Sequence, residues 1–471
     1  MNESILQFAL ELTKKICQRA QNGEIRDLDI MADEVLGDCK ETSIKVMEAI
    51  VQDMNEGFRK DKERRHQLGL VLKEKDRPRS LLTALGQFDY KRDYFYDKGA
   101  GRHMCFLDRV LGIGKYERIG ATVAAALVSE ATVTSYARSA DIVTGGKVSR
   151  QTVHDQILKM ETPEIETREE KRAAKELHIH ADEDHAHMQK PGKAKGKQSR
   201  IIPMVTVTEG TEEGSKGRNR TIHPIHFSDE SFDTKRLWKS VEGYIDKSYK
   251  MDEIEKIYVH GDGGNWIKSG LNDLPQTVHV MDGFHFYKEL RKISRMLPNR
   301  NVRVALTNAL KYDNRKRADE YIQDILGEES LTEKDKENIQ KFAVYLLGNW
   351  KEIRTRLTED SIPGSCTEGL ISHILSERFS RDPLGWSESV LGKLVMARIY
   401  RQNGGKLTKK HFRKDGEAKE KCYEYAERYI EESLKGAVDF SMFEPEHPIF
   451  DGASGTQIAI SGIGQMRNHL S

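Results

Sequence analysis

The stretch Glu176–Gln189 constrains the fold of this chain more than any other, because an apolar alternation runs directly into acids. Its alternate positions are apolar from Leu177 to Ala181, and that period of two is typical of a half-buried β-strand. Three consecutive acids follow: Asp182, Glu183 and Asp184. A carboxylate at the end of a strand projects from a rigid edge, where a metal ion can be held. We therefore expect Asp182 to be a strand-end metal ligand.

A second strand pattern ends in Asp262. The run Ile257–His260 is β-branched and aromatic, and the glycines after Asp262 free the backbone for a tight turn. A third acid, Glu368, lies in the first turns of a helix that follows a glycine-containing loop. These three carboxylates could form one site, although sequence alone does not show that they converge.

Convergence of the three acids would require a cation. Two carboxylates about 4 Å apart repel by roughly 4 kcal/mol at an effective dielectric constant of about 20. Mg²⁺ prefers carboxylate oxygens and retains several waters, and a pair of such ions can catalyse in-line phosphodiester chemistry. We therefore predict two Mg²⁺ ions, with Mn²⁺ as a possible substitute, held by Asp182, Asp262 and Glu368.

The order of elements around these acids predicts an α/β core. Strands are expected at 201–209 and 220–227 after the Asp182 strand, then a helix at 234–248 and the Asp262 strand. A further helix and the strand Thr277–Met281 complete the series. Three strands, helix, strand, helix, strand, with acids at the ends of the first and fourth strands, is a ribonuclease-H-like arrangement.

The region before this core is predicted to be mainly helical and to contain a helix-turn-helix. A helix from about Ser135 ends at Gly145-Gly146, and Ser149 can cap the next helix. The first turn of that second helix could face base edges in the major groove, although an ordinary helical hairpin would look the same. The residues predicted to contact DNA are Lys147, Ser149, Arg150, Gln151 and Thr152.

The same patterns divide the chain into seven segments. They are an N-terminal helical module at 1–78, a β-hairpin and connector at 79–118, the helix-turn-helix at 119–165, the first part of the core at 166–290, a helical insertion at 291–360, the last core helices at 361–401 and a C-terminal tail at 402–471.

Composition limits the classes of function. The chain has 471 residues with 76 basic and 75 acidic side chains, so any contact with DNA must come from local patches. Its five cysteines are widely spaced without a CxxC motif, which favours a reducing compartment over a disulfide scaffold. We find no signal peptide pattern and no long apolar run, and so expect a cytoplasmic protein and no membrane partner.

Four blocks of this sequence resemble those of DDE-type bacterial insertion-sequence transposases of the ISLre type, and of the wider set that includes Mutator-like elements. The blocks are HADEDHAHM, HGDGGNWI, MDGFHFYKEL and GSCTEGLISHILSERFSRDPLGWS. The resemblance implies a retroviral-integrase-like core with a helical insertion, and Asp182, Asp262 and Glu368 as the catalytic and metal-binding acids. It also implies a role near the phosphate or metal for Asp282 and His285.

The resemblance implies Mg²⁺-dependent cleavage at the inverted-repeat ends of an element, followed by strand transfer to target DNA. The expected partners are DNA at the element ends and at the target, and further copies of the chain, with no nucleotide cofactor. Two other functions fit the same sequence: a catalytically silent helix-turn-helix DNA-binding protein, and a structure-specific nuclease of the same fold.

Several residues compete for these roles. Asp184 or Glu183 could replace Asp182, and Glu377 could replace Glu368. Asp282 could simply cap the helix that follows it. The thiol of Cys366 could be reactive, but a packed thiol is the simpler interpretation. Four histidines around the acids would suit Zn²⁺ better than Mg²⁺, or would line a strand face: His178, His180, His185 and His187.

Overall fold

The computed structural model describes residues 2–21, 27–167, 170–189, 198–213, 219–359, 361–362, 364, 366–382 and 384–412. These residues fall into two units, one within residues 1–120 and one within 121–414. The basic loop predicted at 191–200 lies mostly outside the described residues, as do the predicted charged helix at 417–434 and the glycine-rich tail.

The first unit combines helices with a three-stranded antiparallel sheet. Its elements are α1 (Asn2–Gln21), α2 (Leu28–Lys60), α3 (Lys62–Gln67), β1 (Leu70–Thr83), β2 (Gly86–Asp97), β3 (Arg102–Met104) and α4 (Phe106–Val110). Aromatic residues form its core, where Phe58 of α2 stacks on Phe106 of α4 and meets Phe95 of β2 edge-on. The N-terminal module predicted as helical at 1–78 therefore contains α1, α2 and α3 and also the start of β1.

The hairpin of this unit begins earlier than the sequence pattern indicates. We expected it within 79–118, but β1 starts at Leu70 and includes most of the basic stretch before residue 80. That stretch has no apolar alternation, so it carries no strand signal of its own. It is a strand because β2, which is rich in aromatic residues, pairs with it over nearly its whole length.

The second unit opens with three helices, α5 (Ala121–Ala131), α6 (Tyr136–Thr144) and α7 (Arg150–Lys159). Gly145 ends α6 in the left-handed conformation at φ 60°, which a residue without Cβ adopts at low cost. The Ser149 hydroxyl caps α7 by accepting the Thr152 N–H. The two helices and the glycine turn therefore lie where the sequence predicts them.

A five-stranded mixed sheet follows. Its strands are β4 (Glu176–His187), β5 (Ser199–Thr208), β8 (Ile225–Phe227), β9 (Lys256–Gly261) and β10 (Thr277–Met281). The strand order is β10-β9-β4-β5-β8. β5 runs antiparallel to both β4 and β8, whereas β9 runs parallel to both β4 and β10. The connecting elements are the small hairpin β6 (Thr211–Glu213) and β7 (Asn219–Thr221), with α8 (Thr234–Ser248) and α9 (Asn265–Lys268).

Two strands differ from the prediction. β4 continues to His187, so Asp182 lies within the strand and not at its end. The reason is that β5 pairs with β4 as far as His187, whereas the pairing with β9 stops at His180. Asp182 therefore lies just past the end of the pairing between β4 and β9 but within the pairing between β4 and β5. The strand expected at 220–227 is divided between β7 and β8.

Five helices form a layer with its own apolar core between the last strand and the Glu368 segment. They are α10 (Gly283–Met296), α11 (Val302–Lys311), α12 (Arg315–Leu326), α13 (Glu333–Gly348) and α14 (Trp350–Thr358). Leu306, Ile322 and Leu346 are among the buried residues that join α11, α12 and α13. The predicted segment 291–360 is helical over most of its described length, and its first helix, α10, already begins at Gly283.

The described part of the second unit ends with a helix interrupted by a π-helical turn and with one longer helix. The elements are α15 (Thr367–Ile371), the π turn Ser372–Ser376, α16 (Glu377–Phe379) and α17 (Glu388–Gln402). The longer helix, α17, packs against α5 and α7. Among the described helices, none has both the length and the apolar character required to cross a membrane.

Candidate metal centre

The two faces of β4 have opposite chemistry because successive side chains point to opposite sides of a strand. Leu177, Ile179 and Ala181 are fully buried in a core that includes Leu237 and Val241 of α8. The even-numbered positions instead carry His178, His180, Asp182 and Asp184, all buried on the other face. The strand therefore places ionisable groups opposite its hydrophobic core.

A row of polar residues crosses this second face of the sheet. His260, His180, Thr206 and His226 are cross-strand neighbours on β9, β4, β5 and β8. The rings of His180 and His260 stack with centroids 4.7 Å apart. Burial lowers the pKa of His180 to about 3 and that of His226 to about 4, so both imidazoles are neutral at pH 7. The row is a neutral polar floor beneath the acids.

This floor connects β4 to the segment that carries Glu368. The Nδ1 of His180 lies 3.1 Å from the Thr367 hydroxyl, and its Nε2 lies 3.3 Å from the Cys366 sulfur. Because Thr367 begins α15, these contacts fix the next residue, Glu368, above the strand. Burial raises the pKa of Cys366 to about 11, which fits the packed thiol better than the reactive one.

A third element contributes His285. Asp282 caps α10 by accepting the Phe284 N–H at 2.7 Å, so the capping role considered for it is present. The cap places His285 in the first turn of α10, with its Nε2 3.8 Å from Oδ2 of Asp182. The Asp182 carboxylate, followed by Asp282 and Asp262, raises the pKa of His285. That Nε2 is buried and has no hydrogen-bond partner among the described residues.

Asp182, His285 and Glu368 form a group that could hold a metal ion. One ligand atom from each residue lies within 4.8 Å of the others. Asp182 is buried, His285 is half-buried and Glu368 is exposed, so the group is open to solvent on one side. Carboxylate oxygens suit a hard divalent cation, and the His285 Nε2 supplies a further ligand atom when the imidazole is deprotonated. The donor set therefore fits a divalent ion, while leaving its identity open.

Asp262 lies beside this group but outside it. It follows the end of β9, two residues after His260, as Asp182 follows the paired His180. Its Oδ1 accepts the Gly264 N–H at 2.9 Å across a turn in which Gly263 has φ +92°. Its charge contributes to the raised pKa of His285, so it is close to the group. The structure thus joins Asp182 and Glu368 directly and leaves Asp262 at the margin.

The competing acids have other partners. Glu183 points to the opposite face of β4 and accepts the indole N–H of Trp266 at 2.9 Å. Asp184 accepts the Ser380 hydroxyl at 2.9 Å. Glu377 pairs with Arg398 at 3.2 Å. These contacts account for Glu183 and Glu377 without a metal ion, whereas Oδ2 of Asp184 is buried and has no hydrogen-bond partner among the described residues.

The four histidines considered for zinc lie on two faces of β4. His178 and His180 are buried on the Asp182 face, whereas His185 and His187 are exposed on the other. The structure therefore favours the interpretation in which they line strand faces. The contact of His180 with Thr367, which connects β4 to α15, was not predicted from the sequence. Their signal was a histidine two residues before one acid and a hydroxyl residue next to another.

The residues predicted to contact DNA lie on the turn and first turn of α7. Lys147, Arg150 and Gln151 are exposed. The Gln151 amide donates to Asp155 at 2.9 Å, and the Ser149 hydroxyl caps the helix. Contact of these side chains with DNA remains a prediction.

Fold and site together define a mixed α/β protein with a candidate metal centre at one face of its sheet. The chain belongs to the uncharacterised protein family UPF0236, whose family model matches residues 24–416. It is similar to several members from Caldanaerobacter subterraneus subsp. tengcongensis. One is 31% identical over 439 residues, covering 92% of this chain and 90% of the relative. Two others are 30% identical over 436 residues, covering 92% of this chain and 90% and 86% of the relatives.

Proposed function

We propose that this protein is a DNA transposase that cleaves the ends of an insertion sequence and joins them to target DNA. The observation that carries the proposal is the group formed by Asp182, His285 and Glu368, which come from β4, α10 and α15. Acids brought together from such distant segments repel one another unless a cation binds. Divalent ions at clustered carboxylates are the usual catalysts of phosphodiester cleavage.

The sheet topology supports a ribonuclease-H-like core of the retroviral-integrase type. Three antiparallel strands, β4, β5 and β8, are followed by two strands that lie parallel to β4 on its other side. In this arrangement Asp182 and Asp262 stand side by side on adjacent strands, and the helical insertion precedes Glu368. We assign the chain to the DDE-type enzymes, with the ISLre type as the group that its motifs resemble.

Each residue of the candidate metal centre would have a different role in such a reaction. Asp182 and Glu368 would hold one Mg²⁺ ion, and Asp262 would help to hold a second. When bound, the ions would activate the attacking oxygen and neutralise the charge on the phosphate and the leaving oxygen. His285 would orient the phosphate beside Asp182. The buried histidine floor would keep Glu368 in place through Thr367 and would contribute no charge of its own.

The chemistry needs no external energy source. In the first step water attacks a phosphodiester at the element end, which breaks one P–O bond and frees a 3′-hydroxyl. In the second step that hydroxyl attacks a target phosphodiester, so one P–O bond forms as another breaks. The turn and first turn of α7 would grip the DNA through Lys147, Ser149, Arg150, Gln151 and Thr152. Two copies of the chain would hold the two ends, in the cytoplasm where the chromosome lies.

The relatives supply a second line of support. The name of one relative covers eleven loci of a single Caldanaerobacter subterraneus strain, that of another covers four and that of a third covers two. Genes of one family at many positions of a single genome are the expected trace of a sequence that copies or moves itself.

The experiment that tests the proposal uses labelled DNA from the two segments that flank the gene. We expect cleavage in Mg²⁺ or Mn²⁺, none in EDTA, and covalent joining of the freed 3′ end to a target plasmid. Asp182→Asn and Glu368→Gln should abolish both steps, whereas Asp246→Asn, an exposed acid on α8, should not.

The outcomes also separate the alternatives. Cleavage without joining would indicate a structure-specific nuclease. Binding of the flanking DNA without cleavage in any divalent ion would indicate a catalytically silent DNA-binding protein. Equal cleavage by the parent and by both acid variants would contradict the assignment of the metal centre.

A further inference from the structure

The outer face of α10 carries aromatic and basic side chains next to the candidate metal centre. Phe284 and Tyr287 are 45% and 36% exposed, which is unusual for large rings near a site of this kind. They lie three residues apart and therefore project from the same face of α10. The residues one helical turn after each of them project from that face as well. His285, between them in sequence, points instead to Asp182.

These rings line a groove of about 930 Å³. Its charged lining residues are five cations and one acid: Lys288, Arg291, Lys292, Arg295, Arg356 and Glu289. Lys292 lies 3.9 Å from Glu289, which offsets one of these positive charges. The groove therefore keeps a positive excess in a chain whose total charge is only +1. A polyanion is the partner that this local charge would attract.

The basic side chains also approach the rings. The Lys288 ammonium lies 5.5 Å from the centre of the Phe284 ring, and the Arg303 guanidinium lies 5.8 Å from that of Tyr287. Flat apolar rings with cations beside them match a chain of alternating bases and phosphates. Bases stack on the rings in a sequence-tolerant way, and the cations contact the backbone.

The groove borders the start of α10, the helix that carries His285. Gly283, at the start of α10, lines it together with Arg356 of α14. A Cβ on Gly283 would lie 3.3 Å from the Arg356 guanidinium, so the two elements approach closely there. The next residues are Phe284 in the groove and His285 at the acids. A strand lying in the groove would therefore run beside the first turn of α10, which also carries His285.

We propose that this groove, the α10 groove, binds an unpaired DNA strand next to the cleaved phosphate, with bases stacked on Phe284 and Tyr287. Duplex DNA alone does not satisfy the site, because bases inside a duplex have no free face for the rings. A second copy of the chain fits less well, because the lining carries five cations around two rings. The proposal rests on the proposed function, since it names the form of DNA that the enzyme would hold.

The test measures binding and not cleavage. Fluorescence anisotropy in EDTA would compare a blunt duplex with the same duplex carrying a single-stranded overhang of arbitrary sequence. We expect the parent protein to prefer the overhang probe. Phe284→Ala combined with Tyr287→Ala should reduce that preference by roughly 5- to 150-fold for each stacked base that is lost. Its affinity for the blunt duplex should not change.

Two further variants serve as controls. Tyr312→Ala removes an aromatic ring that is 83% exposed outside the groove, and it should leave the preference unchanged. Lys288→Gln with Arg295→Gln should weaken binding of the overhang probe and reduce its dependence on salt, because backbone contacts release counterions. Circular dichroism would show that each variant is folded.

Equal affinity of the parent for both probes would overturn the proposal, as would an undiminished preference in the double aromatic variant. Dissociation of an oligomer by that variant, without a change in probe preference, would assign the groove to a second copy and would also overturn it. Overhang binding without any cleavage would contradict the proposed function but not the groove. Cleavage without an overhang preference would contradict the α10 groove proposal but not the proposed function.

Discussion

The two faces of β4 use the same backbone for different purposes. On one face, Ile179 and its neighbours are completely buried with α8 in an apolar core. On the other, His180 and Asp182 lie within a polar layer completed by α10 and α15. The apolar face is held by packing that needs no exact partner, whereas the polar face depends on the placement of single atoms.

This contrast separates the residues that stabilise the fold from those that form the candidate metal centre. Burial of aliphatic side chains stabilises the sheet by roughly 1.5–3 kcal/mol per residue. Clustering of Asp182 and Glu368 opposes folding unless a cation is bound. Substitutions on the two faces should therefore have opposite signatures, and the following predictions, from the largest effect to the smallest, test that contrast.

The largest effect is expected from Asp182→Asn, measured as the rate of DNA cleavage in Mg²⁺. The rate should fall by at least about 1000-fold, because loss of metal-based stabilisation of the transition state costs several kcal/mol. The free energy of unfolding in EDTA should change little, since the substitution relieves repulsion from Glu368 but also removes the charge that raises the pKa of His285. A variant that loses activity only because it unfolds would remove the contrast between the faces.

Ile179→Ala should show the opposite signature. Its side chain is completely buried, so truncation should lower the free energy of unfolding by about 2–5 kcal/mol in denaturant titrations. The cleavage rate per folded molecule should change little. Val344→Ala is the matched control, because Val344 is 75% exposed and its truncation should cost less than about 0.5 kcal/mol. Equal costs at the two positions would contradict the assigned core.

Metal binding should stabilise the polar face alone. At a Mg²⁺ concentration of about 100 times Kd, the free energy of unfolding should rise by about 2.7 kcal/mol in the parent. Glu368→Gln should lose most of this increment, whereas Ile179→Ala should retain it despite its lower starting stability. Thermal melts with and without Mg²⁺ would measure both. An increment of the same size in Glu368→Gln would show that the ion binds elsewhere.

The effect that is smallest at neutral pH is the pH dependence caused by the buried histidines of the polar face. Burial lowers the pKa of His226 to about 4, so below pH 6.5 the unfolded chain takes up a proton that the folded protein does not. The stability contributed by neutral His226 is therefore complete above about pH 6.5 and falls by roughly 1.4 kcal/mol per pH unit towards pH 4.

The comparison variant for this effect is His226→Asn, followed by denaturant titration at a series of pH values. The stability difference between parent and variant should shrink as the pH is lowered. A difference independent of pH between 6.5 and 4 would show that His226 is not held neutral by burial.

Much of the sheet was predictable because its pattern is local. The alternation in β4 and the apolar runs of β9 and β10 fixed strand type and position to within a few residues, and the Asp233-capped helix α8 was predicted with its observed bounds. β1 was not predictable in full, because its charged sequence forms a strand only when β2 pairs with it. The length of β4 beyond Asp182 likewise depended on β5.

The sequence by itself determined which residues could form a site: acids beside strand patterns, a histidine after the last strand and an acid at the start of a late helix. Only the tertiary structure decided that Asp182, Glu368 and His285 meet, while Asp262 stays at the margin. The physical reason is range. Periodicity and capping act over a few residues, whereas this site depends on the helical layer and on the contact of His180 with Thr367, which joins positions 187 residues apart.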